Sequence, residues 1–375
     1  MGVSMSRCIC PFVVLILTLQ VVLVEEELLA QLVSPEVHAD RQVTFRLRAP
    51  NARAVRLQGI AGLEPQAMTK IDNDVWELTV GPLAPELYSY AFDIDGAIVP
   101  DRHNRHVKKW LSVDSQFEVP GDPPLLHQQQ PVPHGVVHRH IYRSQTTGTD
   151  RGVFVYTPPG YAKETSTSLP LVLLLHGYGD DESAWLEVGR ANQIADNLLA
   201  QGKIEPMIIA MPYGHPVPIA LKSQFDDYAA RNIPAMEQDV LQDLLPLLDD
   251  QYRLLPERQQ RAIVGLSMGG GQSLTIGLSH LEEFAWIGGF SSAAPQGDLD
   301  ERFASLVEDV SATNEQIKLL WVGCGREDFL VQRNQQFTSW LTAKGIRHTY
   351  RETEGSHSWM VWRKYLAEFL PQLFR

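Results

Sequence analysis

Five consecutive apolar residues, Leu171-Val-Leu-Leu-Leu175, constrain the fold more than any other stretch of the chain. A run this short has the length of a strand. With no polar residue on either side of the pleat, it must be buried on both faces. Both faces are covered when helices pack above and below a mainly parallel sheet. The surrounding residues repeat the requirement. Strands are expected at Val136–Tyr142, Gly152–Thr157, Met207–Met211, Arg261–Gly265, Phe284–Gly289, Lys318–Gly323 and Arg347–Thr353. Helices are expected at Ala191–Ala200, Glu237–Tyr252, Met268–Leu281, Phe337–Lys344 and Trp359–Phe369, with Pro246 as a kink in the second. The alternation predicts an α/β domain over residues 136–375, without internal repeats.

The residues before Gly135 follow a different pattern. "RQVTFRLRAP" puts Val43, Phe45 and Leu47 on one face and Thr44 and Arg46 on the other, and "DVWELTV" and "LYSYAFDIDG" repeat the alternation, with a turn at Asp95-Gly96. Short strands with Pro and Gly punctuation predict a small all-β sandwich over residues 31–119, in which Trp76, Tyr88, Tyr90 and Phe92 alternate like core residues. The Pro-rich, Gln-rich residues 120–135 read as a linker. At the other end of this region, Arg7, the apolar block Ile9–Val24 and small Ala30 read as a secretory signal peptide over residues 1–30, placing the mature protein outside the cell or in the periplasm. The block is short for a membrane span. The acids Glu25, Glu26 and Glu27 keep an uncleaved anchor open as the alternative. Once the segment is removed only Cys324 remains, so no internal disulfide is expected. The net charge of −13 argues against a nucleic-acid partner, because phosphate binding needs a basic face.

The chemistry concentrates in the α/β region. Gly265-Leu-Ser-Met-Gly269 fits G-x-S-x-G, with a strand before it and a small-residue helix after it. Ser267 therefore falls on a strand-to-helix turn that raises its hydroxyl above the sheet, beside a helix N-terminus that favours developing negative charge. A serine needs a base, and the base needs a carboxylate that sets its tautomer. Asp328 follows the expected strand ending at Gly323, with Glu327 as the competing acid, and His357 lies in the loop Gly355-Ser-His357 before the last helix. The chain order Ser, acid, His is that of a hydrolase built on a parallel sheet. Two backbone N–H groups are needed for the oxyanion. Met268, directly after Ser267, is one candidate, and Tyr178, in the loop His176-Gly-Tyr178 after the Leu171–Leu175 strand, is the other. His176 is expected to brace that loop. His134, His138 and His140 show no metal-ligand spacing.

These motifs, "LVLLLHGYGDDESAW", "VGLSMGGGQSL", "GCGREDFLVQRNQQF" and "GSHSWMVWRKYLAEFL", resemble carbohydrate esterase family one. That family contains feruloyl and acetylxylan esterases, and enterochelin esterases and mycolyltransferases are relatives. The resemblance runs from about Val136 to the C-terminus. It implies an α/β-hydrolase fold with Ser267 as nucleophile, Asp328 as acid and His357 as base, without metal or organic cofactor. The N-terminal strands resemble the early-set, immunoglobulin-like sandwich of glycogen-binding-type carbohydrate modules. The expected function is a secreted serine esterase acting on feruloyl (hydroxycinnamoyl) or acetyl esters of plant cell-wall polysaccharide. The alternatives are an enterochelin-esterase-like siderophore hydrolase and a non-catalytic carbohydrate-binding protein. Trp185 and Trp359, close to the catalytic motifs in sequence, are expected either to line the substrate pocket or to pack in the core. The aperiodic residues 211–234 are expected to wall that pocket.

Overall fold

A computed structural model of the chain describes residues 32–219 and 225–375; the expected signal segment lies outside them. Residues 36–119 form two antiparallel sheets packed face to face. One holds Val43–Arg48 and Val75–Val80 with short edge strands Glu36–Val37 and Thr69–Lys70. The other is centred on Glu86–Ile94, flanked by Val55–Gln58 and Val113–Val119. The alternation read in the sequence produces the core: Phe45, Tyr90 and Phe117 meet with ring centroids 4.8–5.7 Å apart, and Trp76, Tyr88 and Phe92 join them. Asp95 and Gly96 both take positive φ, 50° and 94°, and close the hairpin from Glu86–Ile94 to Ala97–Val99. Thr44, on the outer face of its strand, is nevertheless buried, because its hydroxyl bonds to Thr79 and His38.

The α/β domain is built on an eight-stranded sheet. Its strands are β1 (Val136–Arg143), β2 (Asp150–Thr157), β3 (Leu171–Leu175), β4 (Ile208–Pro212), β5 (Arg261–Leu266), β6 (Trp286–Phe290), β7 (Leu319–Gly325) and β8 (Thr349–Thr353). The order across the sheet is β1-β2-β4-β3-β5-β6-β7-β8, antiparallel from β1 to β4 and parallel from β4 to β8. The main helices are α1 (Ala191–Ala200), α2 (Phe225–Asp239), α3 (Ser267–Ser279), α4 (Val331–Lys344) and α5 (Trp359–Phe369). Every residue of β3, β5 and β6 is buried, and a hydrophobic cluster covers each face of the sheet. This is the α/β-hydrolase architecture, with a β-sandwich in front of it.

One helix begins earlier than its sequence suggests. The expected helix Glu237–Tyr252 starts at Phe225, and continues beyond α2 through a π-helical turn, Val240–Leu244, to Gln251. The buried stripe of α2 carries Tyr228, Asn232, Met236 and Asp239, so polar groups occupy positions where apolar periodicity is sought. They are buried because they are paired: Arg151 Nε and the Tyr142 hydroxyl both donate to the Asp239 carboxylate, at 2.9 and 2.8 Å. The residues thought aperiodic are therefore helical from Phe225 onward.

The two domains are fused by a buried interface. Residues 120–135 contain no helix or strand, yet His127 and Gln128 are buried, and Asn197 of α1 donates to the carbonyls of Leu126 and Gln128. Glu86 of the sandwich accepts from Arg363 of α5 at 2.9 Å, and His127 Nε2 lies 3.0 Å from the same oxygen. Arg363 also donates to the carbonyls of Val188 and Leu87. Met360 of α5 packs against the sandwich core.

Candidate active site

Ser267 sits where β5 turns into α3, with φ of +51°. That backbone conformation is strained for a residue with a side chain, and it is held by crowding on both sides. A Cβ at Gly265 would lie 2.4 Å from the Gly269 carbonyl oxygen, and one at Gly269 would lie 2.5 Å from that of His176. Only glycine lets β3, β5 and α3 approach this closely. The Ser267 hydroxyl lies 3.0 Å from His357 Nε2. The other imidazole nitrogen, Nδ1, lies 2.9 and 3.0 Å from the two Asp328 carboxylate oxygens. Nδ1–H donates to Asp328, which leaves Nε2 to accept from Ser267. Burial would raise the Asp328 pKa, but the bonds from His357 and the Leu330 N–H outweigh it and hold it below its ordinary value. The three residues come from the C-terminal ends of β5, β7 and β8, where open parallel sheets place their sites.

Known proteins resemble this chain in sequence and in fold. The Esterase family model ("Putative esterase") matches residues 144–373. The chain belongs to the esterase family. An endo-1,4-beta-xylanase/feruloyl esterase of Xylanibacter ruminicola is 29% identical over 348 residues, covering 91% of this chain and 46% of that protein. The chain thus spans just under half the length of that relative. An acetyl esterase of Caldicellulosiruptor saccharolyticus is 26% identical over 232 residues, covering 54% of this chain and 82% of that one. Among solved structures, a ferulic acid esterase of Anaeromyces mucronatus is 25% identical, with a TM-score of 0.56 over 66% of this chain and 93% of its own. The enterobactin esterase of Shigella flexneri is 21% identical, with a TM-score of 0.63 over 89% of this chain and 93% of its own, so its fold parallels both domains.

Several layers surround Ser267. Glu327 does not reach His357; it accepts from the Gly355 N–H at 2.5 Å and so braces the loop that carries the histidine. The His357 ring is packed between Phe329, 4.5 Å away and largely exposed, and Trp362, 4.9 Å away. His176 is wholly buried, and burial lowers its pKa to about 4, so it is neutral. Its Nε2 accepts from the Gly214 N–H at 2.7 Å, and its Nδ1–H donates to the Gly177 carbonyl at 2.8 Å. That second bond sets the orientation of the Gly177–Tyr178 peptide. In a trans peptide the N–H points opposite the C=O. With the Gly177 carbonyl turned toward His176, the Tyr178 N–H is turned away from it. The Met268 N–H lies in the first turn of α3, beside the serine.

Other site residues escape a reading by motif. His215 accepts from the Gly179 N–H at 3.2 Å and bonds to the Tyr228 hydroxyl, which also accepts from Asn232. Burial pushes the His215 pKa down to about 3. Trp110, in the sandwich domain, donates its indole N–H to the Tyr178 carbonyl at 2.7 Å. Its signal in the sequence is an apolar pair, Trp110-Leu111, at the tip of a hairpin. Beside Met268 opens a cleft of about 500 Å³, bounded by Tyr228, Asn232 and Ile233 of α2, Thr275 of α3 and Pro295.

Trp185 and Trp359, considered as pocket residues, belong to the core instead. Trp185 is 1% exposed, donates to the Leu175 carbonyl at 3.0 Å and meets Trp359 edge to face at 5.0 Å. Trp359 is 7% exposed and packs against Trp362 as well. Both fill the layer between β3 and α5, where large apolar area is worth most to stability. Among the described residues, no group of three or more His, Cys, Asp or Glu side chains is placed to hold a metal ion. The Cys324 thiol is buried in β7, which pushes its pKa up to about 12.

Proposed function

We propose that the protein is a feruloyl-type serine esterase that releases hydroxycinnamic acids from plant cell-wall polysaccharide through an acyl-enzyme. The observation that carries the mechanism is the hydrogen-bonded chain Ser267–His357–Asp328 on a strained turn. On this reading His357 Nε2 takes the Ser267 proton as Oγ attacks the ester carbonyl. The Met268 and Tyr178 N–H groups receive the oxyanion. Collapse breaks the bond to the alcohol, which leaves with the proton from His357. Water then attacks the acyl-enzyme by the same route, and the acid departs. Asp328 keeps the imidazole in the tautomer that accepts from serine and balances its transient charge. A cell-wall polymer is met outside the cytoplasm, and the apolar block Ile9–Val24 then serves as the export signal.

On this reading the acyl site is the cleft that opens beside Met268, the residue after the nucleophile. Its volume of about 500 Å³ lies within the usual range for sites that enclose a small molecule. An acetyl group would leave most of it to water. The xylanase/feruloyl esterase relative matches across both domains, which supports the same substrate class. A panel of methyl ferulate, acetylated xylan and enterobactin tests this reading, with methyl ferulate expected to show the highest kcat/KM. Ala229→Trp, which projects into the cleft, should lower kcat/KM for methyl ferulate at least tenfold more than for p-nitrophenyl acetate. Preference for acetylated xylan in the parent enzyme would remove the feruloyl assignment.

A further inference from the structure

We propose that the sandwich domain is part of the catalytic apparatus, with Trp110 as a positioning residue that clamps the oxyanion loop. The inference rests on the reading of Ser267 as nucleophile and of the Tyr178 N–H as an oxyanion donor. Trp110 stands at the tip of the hairpin between Val107–Lys109 and Val113–Val119, and the hairpin reaches across the domain boundary. Its indole N–H donates to the Tyr178 carbonyl at 2.7 Å. The other end of the same peptide, the Gly179 N–H, donates to His215 at 3.2 Å. One peptide unit is thus held from both sides, by one domain through its carbonyl and by the other through its N–H.

The contact is close as well as directional. Gly179 has φ of +83°, and a Cβ there would lie 2.6 Å from the Trp110 indole nitrogen and 2.9 Å from Leu111 Cγ. Lys109 places its ammonium 4.0 Å from Asp181 and 3.9 Å from Glu187, on the segment that follows the loop. The clamp matters because glycine supplies little resistance of its own. With Gly177 and Gly179 on either side, the Tyr178 peptides can rotate at small cost. A rotation that turns the 178–179 carbonyl away also changes the torsions of Tyr178, and with them the aim of its N–H. His176 holds the preceding peptide through Gly177. Trp110 and His215 hold the following one. The N–H between them is pre-aimed before substrate arrives, which is what oxyanion stabilisation requires.

The test is Trp110→Phe in the full chain, which keeps a ring at the hairpin tip and deletes the donor. Ile98→Ser, at an exposed position of the sandwich outside the clamp, serves as a control that keeps the indole bond. Kinetics on methyl ferulate should show kcat reduced on the order of tenfold with KM within about twofold, and a melting temperature close to that of the parent. Loss of one neutral hydrogen bond to the loop is consistent with that size. A trifluoromethyl ketone analogue of the ester, which forms the oxyanion on Ser267, should bind more weakly by a similar factor, while ferulic acid binds unchanged. Ile98→Ser should keep the parent kcat. An unchanged kcat in Trp110→Phe overturns the proposal, as does a rise in KM alone, which would mark Trp110 as a substrate contact. Ser267→Ala separates the two readings: if it stays active the esterase mechanism itself fails, whereas an inactive Ser267→Ala beside a fully active Trp110→Phe rejects only the clamp.

Discussion

Replacing Glu86 by leucine should loosen the docking of the two domains, and the structure sets the size of the effect. Glu86 is 8% exposed and meets Arg363, which is 2% exposed. Burial by itself would raise the Glu86 pKa, but His127, the Arg363 charge and the Leu87 N–H outweigh burial and bring it from its ordinary 4.5 down to about 2. At ~1.4 kcal/mol per unit, that difference is worth about 3 kcal/mol to the folded state. Burial also lowers the Arg363 pKa, against the pull of Glu86. Without its partner the guanidinium keeps that desolvation cost, and breaking a buried pair typically costs ~3–5 kcal/mol. The two estimates agree. For roughly 340 folded residues the entropy of unfolding is about 0.7 kcal/mol per degree, so Tm should fall by about 4–7 °C at pH 7. Scanning calorimetry measures it. The sign with pH follows from the depressed folded pKa: the contribution is fully present above about 4.5 and is lost as pH falls toward 2. The gap between parent and variant should therefore shrink by about 1 kcal/mol by pH 3.5. Adding Arg363→Met should recover much of the loss, because two apolar residues of similar volume can replace a buried pair. A Tm for Glu86→Leu within 1 °C of the parent at pH 7 would refute the reasoning.

Other outcomes follow from the site. Ser267→Ala and His357→Ala should each remove nearly all hydrolysis of methyl ferulate with the fold intact, and Asp328→Asn should cost ~10⁴-fold in kcat. Glu327→Gln should cost less than about tenfold, since Glu327 touches the loop and not the imidazole; the reverse ranking in initial rates would exchange the two acids. Gly269→Ala should give a poorly folded or inactive enzyme, because its Cβ would lie 2.5 and 2.6 Å from two backbone carbonyl oxygens that cannot yield; a circular-dichroism melt and an activity assay matching the parent would contradict this. Acid should destabilise the protein well before Glu86 titrates. His176 is neutral when folded, with its pKa at about 4, while the unfolded chain takes up that proton near ~6.5. The His176 contribution is complete above ~6.5 and falls by about 3 kcal/mol as pH drops to about 4; His215, lowered to about 3, adds a loss of the same sign, and buried Asp180, raised to about 7, offsets part of the two, so urea midpoints between pH 7 and 5 will show a net decline.

Much of this protein is legible in one dimension. Leu171–Leu175 announces a strand buried on both faces, and the alternation of Val43, Phe45 and Leu47 announces a sandwich, because burial imposes the period of the element on the sequence. Gly265-Leu-Ser-Met-Gly269 announces a strained turn, because close backbone approach excludes every larger residue at its two ends. The order Ser267, Asp328, His357 follows from where strand ends fall along the chain. What only the tertiary structure decides is which neighbours those elements acquire. Trp185 and Trp359 have the composition of a pocket and the position of a core, and nothing local distinguishes the two. Helix α2 is hidden because its buried stripe is polar, and those polar groups are acceptable only through partners such as Arg151, 88 residues away from Asp239 in sequence. The joining of the domains is long-range in the same way. Glu86 and Arg363 are 277 residues apart, and Trp110 and Tyr178 are 68 apart. Periodicity records which face of an element is buried, whereas a contact between distant residues depends on how the packed layers bring their ends together.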